Sequence, residues 1–174
     1  MESLATALFV AALALLGKVS FDAWNRHHER RTIAAALAGE IAAYISPFER
    51  EPAAESFRKI AELPTAIRQQ RMAGFPVPPS GHPVFDKVAG RIGLLSASHA
   101  RDVSRFYNAV TAFRIFITNL SSEKFLKADD DYQKAMLQRI ATTIETQLPL
   151  AQALVKSLEE VSRDRSWNSL LDMR

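Results

Sequence analysis

Residues 103–120, VSRFYNAVTAFRIFITNL, decide the fold class. Large apolar side chains recur in this stretch at steps of 3, 4, 3, 4 and 3 residues. That spacing is typical of an α-helix that buries one face against a neighbour. We therefore predict a helix here, with a packing seam formed by Val103, Phe106, Val110, Phe113, Ile117 and Leu120.

A second helix is predicted after a short connection. Three consecutive aspartates at 129–131 favour a helix start, because acidic side chains are stabilised near the positive end of a helix. Two long helices joined by a short connection most simply form an antiparallel hairpin. We therefore expect an all-α protein with a small helical bundle built on this hairpin. The seam of the second helix is Leu137, Ile140, Ile144 and Leu148.

Prolines divide the rest of the bundle domain, which we expect over residues 47–174. The residue before a proline avoids the α region, so Ser46-Pro47 should end the preceding helix. Pro64 should kink or split the helix that follows. Residues 74–83, GFPVPPSGHP, hold four prolines and two glycines and predict an extended linker.

The N-terminus carries an uncharged apolar run at residues 4–17, LATALFVAALALLG, and its apolar character continues to Trp24. A helix over residues 4–24 would be roughly 31 Å long, which matches the hydrocarbon core of a bilayer. We therefore predict a membrane anchor at residues 1–24 and a basic juxtamembrane stalk helix at 25–46. The anchor residues are Leu4, Leu8, Phe9, Val10, Leu13, Leu16 and Trp24.

The charges around the apolar run predict its orientation. A secretory signal needs positive charge before the run, and only Met1, Glu2 and Ser3 precede it, so an uncleaved anchor is favoured over a cleaved signal peptide. The positive-inside rule then places the rest of the chain in the cytoplasm. An apolar helix buried in the protein or in a partner is the other alternative. The arginines that we expect at anionic head groups are Arg26, Arg30 and Arg31.

The sequence lacks the residue patterns of common catalytic sites. It has no cysteine, which excludes disulfides, thiolate nucleophiles and cysteine zinc sites, and its four histidines show no metal-ligand spacing. It also lacks a nucleophile elbow and a P-loop. The net charge of +3 is too small to indicate nucleic-acid binding by itself. We therefore expect no enzyme activity, metal, cofactor or small-molecule substrate.

Four polar or aromatic positions are candidates for contact with a partner. Glu40 lies in a stripe of alanine and isoleucine, where it is either exposed or a buried carboxylate that pairs with an arginine of a partner. Arg101 and Arg105 share one helix face, which is either a solvated face or a contact for an acidic partner or lipid head groups. Trp167, in the apolar tail, either packs inside the protein or contacts another chain.

Three segments resemble small bacterial membrane proteins of no assigned activity: RRTIAAALAGEIAAYI at 30–45, VFDKVAGRIGLL at 84–95 and RFYNAVTAF at 105–113. The resemblance implies a bacterial source and an anchored helical domain. It carries no catalytic residue. With the anchor, it places the protein in the bacterial inner membrane as a single-pass protein.

These observations favour a non-enzymatic, membrane-anchored interaction or accessory protein. Its partner would be another protein or a second copy of the chain, because a heptad seam also serves self-association. A regulator that binds anionic lipid or nucleic acid is the first alternative, and nucleic acid is the less favoured of its two ligands. An enzyme whose site cannot be read from the sequence is the second.

Overall fold

The protein is all-α, as the heptad spacing predicts. The computed structural model describes residues 2–50, 52–73 and 81–164, with side chains from residue 9 onward except residue 12. Within these ranges the chain forms helices and no strand. The helices are α1 (Glu2–Arg50), α2 (Ala53–Glu62), α3 (Thr65–Ala73), α4 (Pro83–Val88), α5 (Ala97–Leu120), α6 (Glu123–Leu126) and α7 (Asp130–Arg163), with a 3-10 helix (Ala89–Leu94) between α4 and α5.

The last helix, α7, is the centre of the bundle. It packs along α1 and α2 and less extensively on α5. Arg31 near the middle of α1 donates to the carbonyl of Ser162 (2.8 Å), and Gln152 donates to Glu49 near the end of α1 (2.9 Å). These contacts show that α1 and α7 run in opposite directions.

Two apolar clusters form the core, one toward each end of α7. The first joins the second half of α1 to α4, the start of α5 and the end of α7, with Leu37, Val103 and Leu158 fully buried. The second joins α2, α3, the end of α5, α6 and the start of α7, with Leu120 and Leu137 fully buried. Each cluster therefore depends on helices that are distant in the sequence.

The second half of α1 is part of this core, which differs from the prediction of a stalk separate from the bundle. Ile33, Leu37, Ile41 and Ile45 lie at helical spacing and are buried. The alanines between them, such as Ala34 and Ala38, are also buried. Small side chains on this stripe leave room for a neighbouring helix, so the segment packs against α7 instead of projecting from the bundle.

The predicted seams are buried to different extents. Val103, Ile117 and Leu120 are buried in α5, whereas Phe106, Val110 and Phe113 are partly buried. The middle of α5 contacts α1: the ring centroids of Phe106 and Tyr44 are 6.3 Å apart, and those of Phe113 and Phe48 are 5.6 Å apart. On α7, Leu137, Ile140 and Ile144 are buried, and Leu148 is partly buried.

Prolines break the helices at only one of the expected places. Pro64 separates α2 from α3, as expected. Pro47 does not end α1, which continues to Arg50. Pro47 is exposed and lies close to the helix end, so its ring is accommodated at the loss of one backbone hydrogen bond. Residues 74–80 of the predicted linker lie outside the described residues.

Side-chain caps fix where the last helices begin. The hydroxyl of Ser96 accepts from the backbone N–H of His99 at the start of α5, and Ser122 does the same for Phe125 in α6. Asp129 caps α7 by accepting from the N–H of Tyr132 (2.7 Å). The first of the three aspartates is therefore the N-cap, which agrees with their interpretation as a helix start.

Candidate functional site

The first half of α1 extends beyond the bundle with its apolar side chains exposed. Phe9 is 65% exposed, Leu16 64% and Val19 62%, whereas Ile33, further along the same helix, is 3% exposed. Trp24 lies between these two regions, with its ring stacked on that of His28 at 5.7 Å. One continuous helix therefore joins an exposed apolar segment, residues 9–24, to the core of the bundle.

The exposed side chains of this segment surround most of the helix. An α-helix turns about 100° per residue, so its large apolar side chains cover roughly two thirds of the circumference. A narrow strip on the remaining third carries Ala11, Ala14, Lys18 and Asp22. A helix that is apolar on most sides is typical of burial in a membrane or in a large protein core. The exposed apolar side chains are Phe9, Val10, Leu13, Leu15, Leu16, Val19, Phe21 and Trp24.

Five of the seven predicted anchor residues lie on this exposed surface: Phe9, Val10, Leu13, Leu16 and Trp24. Leu4 and Leu8 lie outside the residues whose side chains the structure describes. Among the described residues, none of the helices is long and apolar enough to cross a membrane.

The arginines that follow the apolar segment differ in their surroundings. Arg26 is exposed. Arg30 is half-buried, and its Nε is buried without a hydrogen-bond partner. Arg31 is also half-buried and donates its Nε to the carbonyl of Ser162 in α7. Arg26 is thus free to reach an external anion, whereas Arg31 holds α1 against the end of α7.

The start of α5 lies at the same end of the bundle. His99 Nε2 is 2.7 Å from the hydroxyl oxygen of Ser157 in α7. Burial lowers the pKa of His99, and the nearby positive charge of Arg30 lowers it further. Arg101 and Arg105, the two candidates on α5, are both exposed and lie about one and two turns from the start of that helix. Since α5 runs in the same direction as α1, these two arginines lie beside the second half of α1 and not beside the apolar segment.

Glu40, which the sequence offered as a partner contact, has partners inside the protein. Its two carboxylate oxygens accept from the backbone N–H groups of Val84 (2.8 Å) and Phe85 (3.0 Å) at the start of α4. The hydroxyl of Tyr107 donates to the same carboxylate. Burial raises the pKa of Tyr107, and the hydrogen bond to Glu40 raises it further. The carboxylate therefore fixes α4 on α1 and α5.

A histidine and a tyrosine extend this internal network. The hydroxyl of Tyr44 donates to the carbonyl of Gly81 (2.9 Å) and lies 3.0 Å from Nδ1 of His82. The His82 ring packs against that of Tyr107, with centroids 4.9 Å apart. The network therefore secures the chain that enters α4.

A second polar cluster, centred on Arg68, was not predicted from the sequence. Arg68 is fully buried, and its guanidinium donates to the carbonyls of Ala61 (3.0 Å) and Leu63 (3.1 Å), to Gln133 and to Asp130. Hydrogen bonds, first from Lys134 and then from Thr65 and Arg68, lower the pKa of Asp130. The cluster joins the bend between α2 and α3 to the start of α7. The consecutive aspartates were the available signal, and they were interpreted only as a helix start.

The described surface offers little for small-molecule chemistry. An open cavity of about 390 Å³ lies between the end of α1, α2 and α7, with Phe48, Ile144 and Leu148 in its lining. At its edge Arg58 and Glu145 form a bidentate ion pair. Within the described ranges no three acidic or histidine side chains are placed to hold a metal ion.

Comparison with known proteins adds no identification. No family model, curated protein or solved structure matches the chain. The described residues are all-α, and the first half of their first helix carries an exposed apolar surface. The resemblance to small bacterial membrane proteins stays a prediction. Trp167, the last of the partner-contact candidates, lies outside the described residues.

Proposed function

We propose that this protein is a non-enzymatic accessory or interaction protein that is attached to a membrane by the first half of α1. The observation that carries the proposal is the exposed apolar surface of residues 9–24, continuous with a helix whose second half is locked in the bundle core. A membrane is favoured over a protein groove because a groove covers one side of a helix, and this helix is apolar on most sides.

The size of the apolar surface supports stable attachment. Complete burial of one large apolar side chain contributes about 1.5–3 kcal/mol. Eight such side chains are each about half or more exposed, so their burial would contribute on the order of 8 kcal/mol. That free energy corresponds to a dissociation constant near the micromolar range before electrostatic attraction is added.

The basic residues support the orientation of the attached protein. Positive charge follows the apolar segment at Arg26, which is exposed. Arg101 and Arg105 are also exposed, but they lie beside the second half of α1, further from the segment. Anionic head groups attract such side chains by about 1 kcal/mol each near the surface. We therefore propose that the bundle lies on the cytoplasmic side of a bacterial inner membrane. The end of the bundle nearest to Arg26 would face the lipid.

The bundle is the part that would meet another protein. Its organisation around an antiparallel hairpin of α5 and α7 is supported by contacts at both ends of that pair. His99 contacts Ser157 at one end, and Leu120 shares a cluster with Leu137 at the other. A hairpin of this kind would present its outer helix faces to a partner.

Sequential washing of membranes tests the attachment. Membranes that contain the full-length protein are washed first with high salt and then with alkaline carbonate. Retention through both washes is the expected result, because apolar burial is insensitive to salt and to pH. Release by salt alone would indicate head-group contact without apolar insertion. Recovery of the protein in a soluble complex would show that the apolar half of α1 is covered by a protein partner, and would overturn the proposal.

A further inference from the structure

The narrow strip on the exposed half of α1 carries two opposite charges, Lys18 and Asp22, one helical turn apart. Both side chains are exposed, and in the part of the chain that the structure describes neither forms an ion pair. The other side chains of the strip, Ala11 and Ala14, are small. When an otherwise apolar helix segment is buried, its charged side chains need partners of opposite charge or hydrogen-bonding groups.

The order of the two charges disfavours a bond between them within the helix. An acidic residue four positions before a basic one is the better order, because it also complements the helix dipole. All four i,i+4 ion pairs among the described residues follow this order, whereas Lys18 and Asp22 have the reverse order. The four pairs are Glu55–Lys59, Glu123–Lys127, Asp130–Lys134 and Glu159–Arg163.

We infer that this strip binds a second copy of the chain, with Lys18 of one copy paired to Asp22 of the other. The inference rests on the proposed function and takes the first half of α1 to enter the membrane in one orientation, so that two copies lie side by side and parallel. In parallel helices at equal depth, Lys18 of one copy is offset from Asp22 of its partner by about 6 Å along the axis. A lysine side chain spans that offset, and the two-fold symmetry of the pair forms the contact twice.

The small residues of the strip allow the approach that this pairing needs. In membranes, helices associate where small side chains let the backbones come close, and no hydrophobic force between them is required. Ala11 and Ala14 lie on the same side as Lys18, whereas Leu16 lies almost opposite. The strip therefore offers close packing and complementary charge on one face. The other two thirds of the helix circumference, the apolar arc formed by the large exposed apolar side chains, would face the lipid.

Cysteine cross-linking locates the face, because the natural chain has no cysteine to interfere. Ala14→Cys and Leu16→Cys variants of the full-length protein are oxidised in membranes. We expect disulfide-linked dimers to form several-fold faster at position 14 than at position 16. Equal cross-linking at the two positions would overturn the inference, because it would indicate random collision.

Charge exchange tests the pairing itself. In the Ala14→Cys background, Lys18→Asp alone and Asp22→Lys alone should each lose most of the cross-linked dimer, because like charges then face each other. Coexpression of the two variants with tags of different size should restore the mixed dimer, in which both pairs re-form. Single variants that cross-link as well as the parent, or a mixed dimer that is not restored, would overturn the inference.

Carbonate washing of the same membranes separates this inference from the proposed function. If the Ala14→Cys and Leu16→Cys variants, without charge changes, stay in the membrane but cross-link equally, the attachment stands and the self-association is wrong. If the parent protein is released from the membrane, the attachment itself fails, and the inference fails with it.

Discussion

Replacing Leu13 by aspartate should detach the protein from membranes without unfolding it. Leu13 is 54% exposed, lies on the broad apolar arc of α1 and belongs to neither core cluster. On the scale for insertion of a helix into a membrane, aspartate at the centre costs about 2.5–3.5 kcal/mol, and the lost leucine contributes about 0.5 kcal/mol. At 1.4 kcal/mol for each factor of ten, partition into vesicles should fall more than about 100-fold.

The assay is flotation of full-length protein with lipid vesicles, in which the bound and free fractions are measured over a range of lipid concentrations. Leu150 provides the matched control, because it is a leucine on the surface of α7 that is 63% exposed. Leu150→Asp introduces the same charge into the bundle and should leave partition unchanged. Thermal unfolding, followed by circular dichroism, should give both variants nearly the melting temperature of the parent.

Two results would refute the reasoning. If Leu13→Asp and Leu150→Asp both bind vesicles as well as the parent protein, the exposed half of α1 does not enter the lipid. If both lose binding to the same extent, added negative charge alone explains the loss, and attachment is electrostatic. Only a loss confined to position 13 agrees with burial of the apolar arc.

Three further changes test Arg26 beside the apolar segment, the cluster centred on Arg68, and His99 at the start of α5. Arg26→Gln should weaken binding to anionic vesicles about fivefold and leave neutral vesicles unaffected, since one basic side chain contributes about 1 kcal/mol at an anionic surface. Arg68→Met should lower the free energy of unfolding in urea by about 3 kcal/mol, because buried carbonyls lose their donors, whereas the exposed Arg71→Met should have little effect. The pKa of His99 is lowered in the fold, so its contribution to stability is present above pH 6.5 and is lost as the pH falls below that value. The melting temperature should therefore fall between pH 7 and pH 5, and His99→Gln should reduce that fall.

The fold class could be predicted from the sequence because the apolar residues on the buried face of a helix recur every three or four positions. Val103, Ile117 and Leu120 repeat at that spacing and are buried. This spacing does not indicate which other helix packs on the buried face. Ile33, Leu37 and Ile41 were therefore assigned to a stalk, although α7 covers them. The pairing of α1 with α7 joins residues 131 positions apart, as Arg31 and Ser162 show, and no local pattern specifies a contact of that range.

The polar clusters could not be predicted for the same physical reason. A carboxylate in an apolar stripe is stable only if donors reach it, and Glu40 receives them from α4, 44 and 45 positions away. Arg68 likewise depends on Gln133, 65 positions away. The sequence indicated that Glu40 needs a partner, but it could not show that the partner is internal. The exposed apolar arc, by contrast, is a local property of α1, so five of its residues were identified in advance.

The continuity of α1 links the proposed attachment to the position of the bundle. A helix without a break between Trp24 and Ile33 holds the two regions at a fixed angle, and the bond from Arg31 to Ser162 fixes the bundle around it. From Trp24 to Pro47 the helix rises by roughly 35 Å. If residues 9–24 lie in the membrane, α2, α3 and the open cavity beside Arg58 stand at the far end of the bundle. A protein partner in solution would then meet that end first, while a second copy of the chain would meet α1 within the lipid.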